Sequence, residues 1–396
     1  MNYKLIETDD HLPALFEAMS RANILGLDTE FVAEDCYRPE LCLIQISTPE
    51  EVFVVDPQRI TSVNTIWECL LDPKHVVVVH AGREEFLFGY RALGRPCSQM
   101  FDVQVALGML GGEYPASYGK LLQKVLGVNA SKGETRTDWR KRPLTTAQLD
   151  YAALDVLHLP QIYEKLSADL KAVGRTQWLT DEIEQRQQSL IKSEQSEGWW
   201  RLSGVQTLYG KQLGVVRELW NWRNQRAIYK NMPARRVLRD DLIIELAKRG
   251  SPDHKRIAHI RGLHHPGFQR FIPEIADCIA RGLQGEPPLA PWVTASKLPR
   301  PPALLQQFLA AATAYICRSH NISPAIVATT EDVGRLASYW LSKTELDPSD
   351  PEFPDLLRGW RAEMVGKPLF EIYRGKKTLW VQRPDDEMPL AMCDVP

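Results

Sequence analysis

In the stretch Ile24-Leu25-Gly26-Leu27-Asp28-Thr29-Glu30-Phe31 an apolar run abruptly presents two carboxylates two residues apart. On a strand, alternation puts Asp28 and Glu30 on one face. Like charges so close repel, and desolvation adds to the cost, unless a cation lies between them. A divalent metal would supply that cation. A second signal is Tyr151-Ala152-Ala153-Leu154-Asp155, where helical spacing sets a phenol and a carboxylate one turn apart on a shared face. The small alanines between them permit close approach to a sheet. A third lies at His80-Ala81-Gly82-Arg83-Glu84-Glu85-Phe86, which follows the apolar run Val76–Val79 and opens a helix. Taken singly, each has an ordinary explanation: a solvated strand pair, a helix-surface pair, and acidic partners of a helix dipole.

Positioning these groups requires an α/β layered domain. Candidate strands are Tyr3–Glu7, Ile24–Phe31, Leu41–Ser47, Glu51–Val55 and Val76–His80. Candidate helices are Ala14–Met19, Val63–Leu71, Glu84–Leu93, Tyr118–Leu126 and a long Thr146–Leu170 with a kink at Pro160. The turn Thr48-Pro49-Glu50 between two strands implies a hairpin, hence a mixed sheet, and no GxGxxG follows the first strand. Beyond residue 200 the strand signal gives way to helical patterns such as Leu213, Val216, Leu219 and Trp220.

Whole-chain properties bound the function. The 396 residues exceed what one core usually supports, and 44% hydrophobic with 25% charged residues is ordinary for a soluble globular protein. No apolar run approaches a membrane span, and the N-terminal residues lack a secretory signal's hydrophobic stretch, so a cytoplasmic protein without a membrane partner is expected. Seven scattered cysteines, never spaced as CxxC, suggest reduced thiols. The net charge of −2 conceals an asymmetry: residues 199–272 hold 15 Lys/Arg against five Asp/Glu, leaving the compensating acid elsewhere.

The spacer Gly282–Pro302 contains six prolines and marks a domain boundary. On either side of it, Pro233-Ala234 with Asp241-Leu242 recurs 91 residues later as Pro324-Ala325 with Asp332-Val333, which suggests two related helical bundles. The expected divisions are a catalytic domain at 1–170, a helical linker at 171–208, bundles at 209–284 and 303–380 around a Pro-rich linker at 285–302, and a tail at 381–396.

In their order, Asp-x-Glu, an acidic helix start and Tyr-x-x-x-Asp, the chain resembles the DEDD exonuclease superfamily in its tyrosine subclass. The phrases Leu27-Asp28-Thr29-Glu30-Phe31-Val32, Leu43-Ile44-Gln45, His80-Ala81-Gly82 and Thr135-Arg136-Thr137-Asp138-Trp139 are similar to those of the ribonuclease D family. The stretch Gln212–Gly282 resembles the HRDC domain, and residues 303–380 resemble a divergent second copy. The resemblance implies an α/β ribonuclease-H-like exonuclease domain, a mixed central sheet with flanking helices, followed by two all-α HRDC-type bundles. It further implies two Mg²⁺ or Mn²⁺ ions held by Asp28, Glu30, Glu85 and Asp155 about 3.5–4 Å apart, one helping to generate the attacking hydroxide and the other stabilising the leaving oxygen. Tyr151 would orient the attacking water, because a phenol of pKa near ~10 is a poor base at neutral pH. The family usually has Asp at the second motif. Glu85 is the aligned position here, so an altered metal preference is expected.

The implied reaction is stepwise release of nucleoside 5′-monophosphates from RNA 3′ ends, with tRNA precursors as the suggested substrate and a monomer as the expected state. Gln45, His80, Lys132 and Arg136 are candidate substrate contacts in the catalytic domain. Arg223, Arg226, Lys230, Arg235 and Arg236 form a basic cluster suited to phosphate neutralisation. Two alternatives stay open on sequence alone: a DNA exonuclease with the same site, and a non-catalytic nucleic-acid-binding protein.

Overall fold

The computed structural model describes residues 2–129, 137–264, 266–289, 298–343 and 346–395. Two compact units emerge: Met1–Glu30, Leu41–Leu190 and Leu298–Pro396 form one, Phe31–Glu40 with Ile191–Lys297 the other.

The first unit is built on strands β1 (Lys4–Ile6), β2 (Ile24–Val32), β3 (Glu40–Ser47), β4 (Val52–Val55), β5 (Val76–Val79) and β6 (Met100–Asp102), in the order β1-β4-β3-β2-β5-β6. β1 runs parallel to β4, β2 to β5 and β5 to β6, whereas β3 is antiparallel to β4, so the sheet is mixed. Its interior strands are largely apolar where they are covered on both faces, with Leu25, Leu43, Ile44, Val54 and Val78 fully buried.

Interleaved helices are α1 (Leu12–Arg21), α2 (Val63–Leu70), α3 (Arg83–Leu93), α4 (Val103–Met109), α5 (Tyr118–Leu126), α6 (Thr146–Leu157), α7 (Leu159–Ala172) and α8 (Thr176–Gln195). The expected kinked helix over 146–170 is instead two helices broken at His158, with Pro160 in the first turn of α7, where its missing N–H costs nothing. Strand β6 and helix α4 were not anticipated. They are too short, at three and seven residues, to show a periodicity.

The second unit holds α9 (Lys211–Tyr229), α10 (Ala234–Val237), α11 (Asp240–Arg249), α12 (His254–Ala258), α13 (Pro266–Gln269) and α14 (Ile272–Gln284), packed around Val215, Leu219, Ile243, Ile275 and Ile279. In the first unit, α15 (Ala303–Ser319), α16 (Pro324–Val327), α17 (Thr330–Ser342), α18 (Gly359–Arg361) and α19 (Lys367–Tyr373) make a helical region, closed by the antiparallel pair β7 (Lys377–Val381) and β8 (Leu390–Asp394). That pair corrects the expectation that strands end before residue 200. No helix among the described residues is long and apolar enough to cross a membrane.

Candidate active site

The site forms where α6 lies against β2. A Cβ on Gly26 would sit 2.2 Å from Ser47 Oγ, 3.0 Å from Leu159 Cβ and 3.3 Å from the Val156 carbonyl oxygen. Only glycine admits the helix this close. Ser47 fixes the approach by donating its hydroxyl to the Val156 oxygen at 2.7 Å, and Ala152 and Ala153 are fully buried below the helix. The end of α6 thereby delivers Asp155 to the strand. One oxygen each from Asp28, Glu30 and Asp155 lies within 4.8 Å of the others. The start of α6 is set by a capping box between Thr145 and Gln148. Ahead of it, Arg142 anchors the chain on the buried Asp56 (2.5 and 2.9 Å) and on the Cys42 carbonyl oxygen.

Among the described residues, no basic group acts on Asp28, Glu30 or Asp155. Burial, then the charges of Glu85, Asp155 and Glu30, holds the Asp28 carboxyl well above its ordinary range. Burial, followed by Asp155 and Glu85, pushes Glu30 up to about 8. Burial also raises Asp155 to about 6, against the opposing effect of the Tyr151 hydroxyl that it accepts. Tyr151 itself is raised, first by burial and then by Asp155, so its phenol stays protonated and acts as a donor. Partly buried carboxylates that repel one another, with no cation beside them among the described residues, are a donor set for a hard divalent ion. The residues therefore fit Mg²⁺ or Mn²⁺.

Glu85 stands beside this triangle rather than inside it. In the first turn of α3, it is pushed up to about 7 by burial, and it accepts the Thr29 hydroxyl at 2.5 Å. The turn before it carries Ala81 at φ +56°, a conformation maintained by Asp102, whose carboxylate accepts the Ala81 and Gly82 N–H groups at 3.1 Å each. The same carboxylate caps α4 through Gln104 and Val105, so Asp102 serves both that helix and the loop that aims Glu85. Its neighbour Glu84 pairs with Arg83.

Of the other candidate contacts, His80 is partly buried with Nε2 3.0 Å from the Ala116 carbonyl oxygen. Gln45 is fully buried, and neither end of its amide has a partner among the described residues, which corrects its assignment as a substrate contact: it has no surface to offer. Lys132 and Arg136 lie outside the described residues. In the second unit Arg223 is likewise corrected. It is buried, donating to the Leu238 carbonyl oxygen at 3.1 Å and to Asp240 at 2.6 Å, and so holds the bundle together. Arg226 pairs with Glu274 and stacks 4.3 Å from the Phe271 ring centre. Arg235 is mostly exposed while bonded to Asp240, and Lys230 and Arg236 line a cleft of about 310 Å³ with Tyr229, Phe268 and Arg270.

Sequence reasoning missed Thr29, Gly26 and Tyr118. The first two sit within the Asp-x-Glu strand itself, and a glycine inside an apolar strand was a legible sign of close backbone approach. Tyr118 is a second phenol near the acids: after burial, the charges that raise it are those of Asp155 and Asp28. No motif marks it.

Residues 3–171 match the 3′-5′ exonuclease family and residues 212–279 match the HRDC domain. A ribonuclease D from Gluconacetobacter diazotrophicus is 32% identical over 381 residues, covering 95% of this chain and 94% of its own. A ribonuclease D from Pseudomonas paraeruginosa is 32% identical over 350 residues, covering 87% of this chain and 90% of its own. The crystal structure of Escherichia coli RNase D, an exoribonuclease involved in structured RNA processing, superposes with a TM-score of 0.76 at 25% identity, covering 94% of this chain and 99% of that one. With an acidic site of this geometry in a mixed sheet and relatives matching nearly end to end, the chain belongs to the ribonuclease D family of 3′–5′ exoribonucleases.

Proposed function

We propose that the chain shortens RNA from its 3′ end one nucleotide at a time, releasing nucleoside 5′-monophosphates, with two divalent cations held by Asp28, Glu30, Asp155 and Glu85. The observation that carries this reading is the triangle of Asp28, Glu30 and Asp155, with one oxygen of each within 4.8 Å of the others. Bound there, a pair of Mg²⁺ or Mn²⁺ ions would lower the pKa of water and stabilise charge on the scissile phosphate. The chain's own residues do the rest. Asp28 and Glu30 project from one strand face, so their separation is fixed by the sheet. Tyr151, protonated and hydrogen-bonded to Asp155, serves as a donor that orients the attacking water, not as a base.

The two-bundle division at 209–284 and 303–380 is supported by a shared local pattern. In each, a long helix is followed within two residues by an asparagine with positive φ, Asn231 at +41° and Asn321 at +52°, then by a four-residue helix and a longer one. In the first bundle, Lys230, Arg235 and Arg236 are the cations disposed to meet RNA phosphates, with affinity that falls steeply with salt.

The test is incubation of the purified protein with a 3′-extended tRNA precursor and Mn²⁺ or Mg²⁺. Expected are stepwise shortening, nucleoside 5′-monophosphates as the released product, cessation on chelation, and strong impairment in Glu85→Gln. Release of internal fragments, or no release with either metal, overturns the reading. A matched DNA oligonucleotide degraded at the same rate would replace the RNA assignment with a general exonuclease. Light scattering after size exclusion tests the expected monomer, and fractionation of cells tests the expected cytoplasmic location.

A further inference from the structure

Glu85 differs from the other three carboxylates in how it is secured. Asp28 and Glu30 project from the sheet and Asp155 from the docked end of α6, whereas Glu85, with the same three side-chain torsions as Glu30, projects from a first helical turn. Left unrestrained, such a side chain samples many rotamers, and ordering it costs conformational entropy. It is not unrestrained. Thr29, 4% exposed and placed between Asp28 and Glu30 in the chain, donates its hydroxyl to Glu85 Oε1 at 2.5 Å. An ionised carboxylate only accepts, so the direction of this bond is set, and it survives when the other oxygen takes a cation. By strand alternation Thr29 faces away from its acidic neighbours, and it reaches Glu85 at the start of the helix that follows the adjacent β5. Glu85 lies outside the triangle of Asp28, Glu30 and Asp155. Its proximity to Asp28 is registered in the Asp28 carboxyl, on which Glu85 has the largest effect of any charge.

We propose that Thr29 is a positioning residue for the second of the two cation sites, locking Glu85 through Oε1 so that its other oxygen is shared with Asp28 on an ion distinct from the one within the triangle. This rests on the two-ion reading above. Removing the hydroxyl should loosen the second ion alone, by the order of tenfold typical of an outer hydrogen bond to a metal ligand.

Mn²⁺ is titrated into the metal-free full-length chain by calorimetry, with the electron paramagnetic resonance of free Mn²⁺ as a second measure. Thr29→Val is expected to leave the tighter binding event within about twofold and to weaken the weaker one about tenfold. Thr29→Ser should restore the second event, and Thr29→Val added to Glu85→Ala should change nothing further. Thr29→Ala, measured in parallel with a thermal melt of each variant, must give the same selective loss, which keeps the test decisive if the valine is poorly accommodated. Equal weakening of both events, no weakening, or an effect that persists in Glu85→Ala overturns the proposal. A single event or none in the unaltered chain overturns the two-ion reading and this inference with it, whereas two events insensitive to Thr29 overturn this inference alone.

Discussion

Two groupings of buried acid in the same unit are treated in opposite ways. On α8, Glu182 is 4% exposed and meets Arg186 at 2.9 Å and Arg361 at 2.7 Å. Arg186 reaches on to the Tyr114 hydroxyl at 2.6 Å, and Arg361 donates to the Ile326 and Val327 carbonyl oxygens. At Asp28 and Glu30, beside Asp155, the charges that act are those of other acids. A chain able to bracket one carboxylate with two guanidiniums sets none beside these three among its described residues. The difference separates charge used to join helices α8 and α18 from charge held ready for a cation, since an unpaired buried acid is a standing cost to the fold.

The largest way to break the contrast is Asp28→Asn. Metal-dependent nucleotide release should fall by at least about 10³-fold, roughly 4 kcal/mol of transition-state stabilisation, while the metal-free protein melts higher because a repelling charge is gone. A lower melting point together with retained release would show that Asp28 is structural.

The next effect is in pH. These carboxyls are raised in the folded state, Asp155 to about 6, Glu85 to about 7 and Glu30 to about 8, so the native chain binds more protons than the unfolded one across that window. Stability of the metal-free protein should therefore decline as pH rises from about 4, the ordinary carboxylate value, through 8, by ~1.4 kcal/mol per pH unit for each proton difference. Denaturant midpoints with and without Mn²⁺ measure it, and the ion should flatten the slope. A midpoint that climbs over this range without metal would mean that the acids are compensated.

Glu182→Gln should cost about 3 kcal/mol by stranding two arginines, with release of nucleotides unchanged at temperatures where the variant is folded. Loss of rate without loss of stability would place that network in the reaction. Smallest is Gly26→Ala, expected to cost about 1–3 kcal/mol through overpacking and to lower the rate, because the added carbon displaces the helix that carries Asp155. Unchanged activity would mean that α6 can shift without moving the site.

Much of the site was legible because its chemistry is local. The carboxylates of Asp28 and Glu30 share a face by strand alternation, and Tyr151 and Asp155 share one by helical periodicity, so residue type and spacing alone marked them. The mixed sheet followed from a turn between two apolar runs. The short β6 and α4, and the β7–β8 pair, escaped because a few residues carry too little periodicity to stand out. Gln45 and Arg223 were misread for one common reason: exposure is a property of what packs on a residue, and neither an amide in an apolar strand nor an arginine in a basic run shows its covering.

Sequence by itself determined which elements form and which acids stand on which face, because backbone geometry imposes periods of 2 and 3.6 on any chain. Only the tertiary structure decided that the end of α6 comes down on Gly26, that Thr29 reaches across to Glu85, and that Arg361, more than 170 positions away in the chain, neutralises Glu182. Those are contacts between elements, set by volume and charge in three dimensions, and no local repeat encodes them.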